Sequence, residues 1–104
     1  MKLMGVFLYK DRYLNEILEA LAELGIFDVL IIDASSIKKA LAYRNPLFAG
    51  LRFDSMAGEF SKLILAITPD ETVHMLVEIL KSYDIDVGSG KVLRIFTLDL
   101  NIVV

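Results

Sequence analysis

From Leu3 to Tyr9 the chain is apolar at every position, Gly5 alone lacking a side chain, and the run is apolar at both parities: Leu3, Phe7 and Tyr9 alternate with Met4, Val6 and Leu8. A strand with one face in water alternates apolar with polar residues, so this run predicts a strand covered on both sides. Phe27 to Ile32 behaves in the same way, with Val29 and Ile31 alternating with Leu30 and Ile32. Removing a large apolar side chain from water contributes roughly 1.5–3 kcal/mol, and an ordinary domain is held by only about 5–15 kcal/mol. A whole apolar face left wet would forfeit much of that. Something must cover it, and another copy of the same chain is the simplest candidate.

The period then changes along the chain. Leu14, Ile17, Leu18, Leu21 and Leu24 fall on one helical stripe, with Asn15, Glu16, Glu19 and Glu23 opposite, so a helix is expected from Asp11 as N-cap to Gly25 as its stop. Phe27 to Ile32 is the second strand. Ser35 or Ser36 then suits the cap of a short helix reaching about Tyr43, and residues 44–59, with Asn45-Pro46, Gly50 and Gly58, read as a long loop. Phe60 to Ile67 predicts a third strand. Thr68-Pro69-Asp70-Glu71 has the form of a capping box, with proline at the first helical position, and opens a second helix that runs to about Tyr83. After the turn-rich Asp84 to Gly90, Val92 to Leu98 is the fourth strand, and Leu98, Leu100, Ile102 and Val104 continue its alternation. The order βαββαβ in 104 residues predicts one α+β domain, residues 1–104, of ferredoxin-like form: a four-stranded antiparallel sheet with both helices on one face.

Composition sets further bounds. A hydrophobic fraction of 56% and a mean hydropathy of +0.58 are high for so short a chain, which reinforces the need for an external cover. No apolar run approaches the roughly 18–20 residues that cross a bilayer, and the opening Met-Lys-Leu-Met-Gly-Val leads into a strand, so a cytoplasmic protein not embedded in a membrane is expected. The absence of cysteine excludes disulfides, a thiolate nucleophile and a cysteine-based zinc site. A net charge of −3 argues against a nucleic-acid partner.

Four groups of residues bear on chemistry. Gly88-Ser89-Gly90-Lys91 suits presentation of successive backbone N–H groups to an anion with a lysine beside them, and equally a glycine-rich turn feeding a strand. It is not a nucleotide P-loop, because Ile85 stands where the first glycine belongs and Val92 follows the lysine. Residues 34–53 carry Lys38, Lys39, Arg44 and Arg52 and no acid, a local charge of +4 in an acidic chain. Arg44 and Arg52 flank the loop and are the better anion contacts, whereas the two lysines suit a solvated helix face. Within the loop, Leu47, Phe48, Leu51, Phe53 and Met56 suit either a docking surface for a protein partner or packing beneath the loop and across a subunit interface. Glu71, His74 and Glu78 share a helical face, but a carboxylate-bridged metal site needs matching ligands from other helices, so no metal is expected. With one histidine, no cysteine and no assembled nucleophile, no enzyme is expected either, and nothing implies a cofactor.

The layout βαββαβ, the helix phrase Ala-Leu-Ala-Glu-Leu-Gly-Ile over residues 20–26, the long loop between strands two and three, and Gly88-Ser89-Gly90-Lys91 opening strand four together resemble the PII-like signal-transduction superfamily. The resemblance spans essentially the whole chain. It implies a homotrimer in which the open sheet faces pack together, a ligand cleft between subunits, and a long loop that docks on a partner protein. It also implies that residues 88–91 wrap the phosphates of a nucleotide or a similar anion. The chain departs from the classical pattern in having Ser82-Tyr83-Asp84 in place of a Thr-Gly pair, and Leu100-Asn101-Ile102-Val103-Val104 in place of an arginine-bearing segment. Two groups of ATP contacts are therefore absent, and the implied ligand is a small anionic metabolite or nucleotide, not ATP in particular. The alternatives are a ferredoxin-like assembly module without a ligand and a metal-binding trimer like the divalent-cation tolerance proteins.

Overall fold

The structure, a computed structural model, describes residues 1–35, 37 and 61–104. Strands β1 (Lys2–Leu8), β2 (Val29–Asp33), β3 (Lys62–Thr68) and β4 (Leu93–Asp99) form one sheet in the order β2-β3-β1-β4, with every neighbouring pair antiparallel. A 3₁₀ turn over Asp11–Tyr13 leads into helix α1 (Leu14–Glu23), and helix α2 (Thr72–Ser82) connects β3 to β4. This is an α+β arrangement consistent with a ferredoxin-like fold. The short helix expected through Tyr43 and the loop expected over residues 44–59 lie outside the described residues.

Both helices pack on the face that carries Met4, Val6 and Leu8 of β1. Ile17, Ala20 and Leu21 of α1 and Leu76 and Leu80 of α2 join these, Ile64 and Leu93 in one buried cluster. The register explains why. Met4 lies opposite Ala66 and Thr97, Val6 opposite Ile64 and Ile95, and Leu8 opposite Lys62 and Leu93, so one parity of each strand points at the helices. The other parity, with Leu3, Gly5 and Phe7, points away from them.

Both helices end in the same way. Gly25 takes a φ of +77°, Ile26 N–H donates to Leu21 O at 2.9 Å, and Gly25 N–H donates to Ala22 O at 3.0 Å. At the end of α2 the left-handed position falls to Asp84, with φ +60°, and Ile85 and Asp84 donate to Leu80 O and Lys81 O, each at 3.0 Å. These are Schellman closures, in which the residue two beyond the cap also brings an apolar side chain back to the helix. Ile26 and Ile85 both pack in the core cluster accordingly.

Three local expectations are corrected. Asp11 is not an N-cap: the extended residue ahead of the 3₁₀ turn is Lys10, no side chain caps the turn, and the Asp11 carboxylate accepts a hydrogen bond from the Ser61 hydroxyl instead. The capping box at Thr68 does not form either. Thr68 stays in the ladder opposite Lys2 and is 1% exposed, and the helix entry is closed by Thr72 N–H donating to Pro69 O at 3.2 Å, with no side-chain cap. Lastly, the alternation from Leu98 to Val104 does not continue as a strand within this chain. β1 begins at Lys2, opposite Asp99, so beyond Leu100 N–H donating to Met1 O at 3.2 Å the tail has no partner strand in its own sheet, and Ile102 to Val104 are exposed.

The two helices are tied at their ends by Tyr83, whose hydroxyl donates to Glu23 Oε1 at 2.5 Å. That hydrogen bond, then burial and the Glu23 charge, pushes the phenol from 10.0 up to about 12. A group whose pKa is raised on folding contributes stability below its unfolded pKa and loses it as pH rises through the folded value. Stability is therefore expected to fall between pH 10 and about 12, and Tyr83→Phe to fall less over that window in urea melts at stepped pH. Parallel pH profiles for the two proteins would remove Tyr83 as the cause.

Candidate functional site

One end of the sheet collects the features that bear on function. Asp33 of β2, Lys62 of β3, Leu8 of β1 and Leu93 of β4 lie in one cross-strand row. Just beyond it, Ser61 N–H donates to Leu8 O at 2.7 Å, Ala34 N–H to Ser61 O at 3.0 Å, and Tyr9 N–H to Val92 O at 2.8 Å. The described residues on either side of the long insertion, Ala34 and Ser61, are thus hydrogen bonded to each other, at the same end as the glycine segment that feeds β4. Lys62 Nζ pairs with Asp33 Oδ1 at 2.7 Å, a hydrogen bond that holds the Asp33 carboxyl below its ordinary range.

Gly88 to Lys91 forms a turn built around an acid that sequence reasoning passed over. Ser89 donates twice to the Asp86 carboxylate, through its backbone N–H at 3.2 Å and through its hydroxyl, while Lys91 N–H donates to Ser89 Oγ at 3.1 Å. The bonds from Ser89, first its hydroxyl and then its backbone, hold the Asp86 carboxyl below the usual carboxylate range, with the Gly88 backbone and the Lys91 charge adding to them. Gly90 has φ +75°, a left-handed conformation that favours glycine, and a Cβ there would lie 3.1 Å from Arg94 Nε, so the guanidinium sits close over the turn. Lys91 and Arg94 are exposed, and among the described residues neither takes part in an ion pair.

The structure thus places the expected Gly88, Ser89, Gly90 and Lys91 together and adds Asp86 and Arg94. Both were signalled in the sequence. Asp86 stands just ahead of a glycine-serine turn, a place where an aspartate bonds the backbone that follows it. Arg94 is the one charge inside the otherwise uncharged run from Val92 to Leu98. The other expected contacts, Arg44 and Arg52, and the expected docking residues Leu47, Phe48, Leu51, Phe53 and Met56, lie outside the described residues.

The second notable surface is the sheet face opposite the helices. Leu30 is 63% exposed, Leu98 57%, Ile67 46% and Ile32 42%, and all belong to the parity that faces away from α1 and α2. At its centre Gly5 lies opposite both Leu65 and Phe96. A Cβ on Gly5 would sit 2.1 Å from Phe96 Cζ, so the tip of the Phe96 ring fills the space over the glycine, with its centroid 5.3 Å from that of Phe7. A shallow, mostly apolar depression beside it is lined by Leu3, Leu30, Leu65, Ala66 and Ile67, with Asp28 among them.

Glu71, just ahead of α2, and His74 and Glu78 on it are exposed, and no group of three possible metal ligands converges among the described residues. No helix among them is long and apolar enough to cross a membrane. Comparison of the sequence with protein-family models gives no match, and neither does comparison with curated proteins.

Proposed function

We propose that the chain is a PII-like regulatory protein of ferredoxin-like form. It assembles as a homotrimer through its open sheet faces, binds a small anionic metabolite or nucleotide at the cleft between subunits, and controls a protein partner through the segment around residues 44–59. Its role is to sense and relay, not to catalyse. The observation that carries this reading is the convergence at one sheet end: a glycine turn rich in backbone donors, the exposed cations Lys91 and Arg94, and both described flanks of the insertion whose first part, residues 34–53, carries a charge of +4. Such a concentration of positive charge in an acidic protein favours an anion.

The test is a thermal-shift panel of nucleotides, carboxylate metabolites and divalent metals. A ligand at about 100 times its dissociation constant adds roughly 2.7 kcal/mol, a shift well outside the error of a melt. Lys91→Ala is then expected to weaken the ligand by about tenfold, the loss of one charge-assisted contact, with the oligomeric mass unchanged. A ligand whose affinity ignores Lys91→Ala and Gly90→Val alike would return residues 88–91 to the role of a turn. The hydrogen bonds from Ser89 to Asp86 favour a second reading, an assembly module without a ligand, because they already occupy donors that an anion would need. A panel with no stabilising compound supports that module.

A further inference from the structure

We propose that Asp86 is a built-in competitor for the anion site: its carboxylate occupies the donors of the Gly88–Lys91 turn in the unliganded protein, and an incoming anion binds by displacing it. The proposal rests on the anion-binding reading above and adds to it a mechanism of restraint. A carboxylate oxygen and a phosphate oxygen make the same demand on a donor, a charged acceptor at the end of an N–H or O–H, and one donor serves one of them well. Ser89 gives Asp86 both its backbone N–H and its hydroxyl proton, and the hydroxyl oxygen in turn accepts from Lys91 N–H. Three of the turn's donors are thereby committed, directly or through Ser89, to a side chain of the same loop.

The surroundings suit an exchange. Asp86 is exposed, whereas Ile85 before it is 4% exposed and Val87 after it packs against the core. The backbone is anchored on both sides, so the carboxylate can leave by side-chain rotation without opening the core. Lys91 and Arg94 take part in no ion pair among the described residues, Lys91 near enough for its charge to act on Asp86 and Arg94 beside Gly90. They offer a multivalent anion charge at two points, more than a single carboxylate tethered at Asp86 takes up.

The experiment is calorimetric titration with inorganic pyrophosphate, at fixed ionic strength, of the wild-type chain, Asp86→Asn, Asp86→Ala and Asp84→Asn. The last removes the same charge two residues away without touching the turn. Asp86→Asn is expected to bind pyrophosphate about tenfold more tightly than wild type, as expected when a charge-assisted hydrogen bond no longer competes, and Asp86→Ala at least as tightly. Asp84→Asn is expected to stay within about twofold of wild type, the size of a screened long-range effect. Equal or weaker binding by both Asp86 variants, with wild type binding measurably, overturns the competitor and leaves the anion site standing. An equal gain in Asp84→Asn also overturns it, since bulk charge would then explain the effect. No binding by any of the four proteins overturns the anion reading itself, and the competitor with it.

Discussion

Light scattering at micromolar concentration is expected to give a mass near three chains of 11.7 kDa, and Ile67→Lys to reduce it to that of one chain. Ile67 belongs to the open sheet face and is 46% exposed, so a lysine there remains in water while the chain is alone and disturbs little of its own core. Within an assembly the same lysine would be buried without a partner, and an uncompensated buried charge costs about 3–5 kcal/mol. Such a cost at each of several symmetric contacts exceeds what a small interface can absorb. The far-UV spectrum of Ile67→Lys should stay that of the wild type, which separates lost assembly from lost folding. A soluble wild-type monomer would sink both the trimer and the idea that this face is covered.

The apolar face was legible in the sequence because strand periodicity is short and local. Parity alone sets Leu3 and Phe7 opposite Met4, Val6 and Leu8 within β1, and because Leu30 and Ile32 alternate with Val29 and Ile31, either register of β2 brings an apolar pair to the open face. The glycine turn was legible for a similar reason, since Gly88, Ser89, Gly90 and Lys91 are contiguous. The helix starts were not. Asp11 and Thr68 both have the residue type and spacing of caps, but competing partners far away in sequence decide their fate: Ser61 takes the Asp11 carboxylate and Lys2 holds Thr68 in the ladder. The end of β4 escaped for the same reason, because alternation says that a segment can be a strand and only the length of its neighbour says where pairing stops. Asp86 and Arg94 matter through a turn and a strand meeting in space, and Arg94 is brought to Gly90 by the conformation of the intervening residues.

Gly5→Val is expected to cost about 2–3 kcal/mol and to lower the melting temperature by about 10–20 °C. Glycine in a strand interior is ordinarily a weakness of roughly 0.5–1 kcal/mol, so on propensity alone valine should stabilise this position. The packing reverses the sign. The added Cβ would fall 2.1 Å from Phe96 Cζ and 2.2 Å from Cε1, so the ring must swing off the sheet, giving up its tilted contact with Phe7. An aromatic pair of this kind contributes about 0.5–1.5 kcal/mol beyond the area it buries, and the displaced ring would stand proud of the face proposed to meet other subunits. The oligomeric mass should therefore fall together with the melting temperature. The double substitution Gly5→Val with Phe96→Ala provides the decisive comparison, because with the ring gone the valine has room. It should be more stable than the sum of the single changes allows, by a coupling of about 2 kcal/mol in denaturant melts. Additive effects would mean that valine harms β1 through its backbone and not through Phe96, and that the ring's place over the glycine is a consequence of the glycine and not the reason for it.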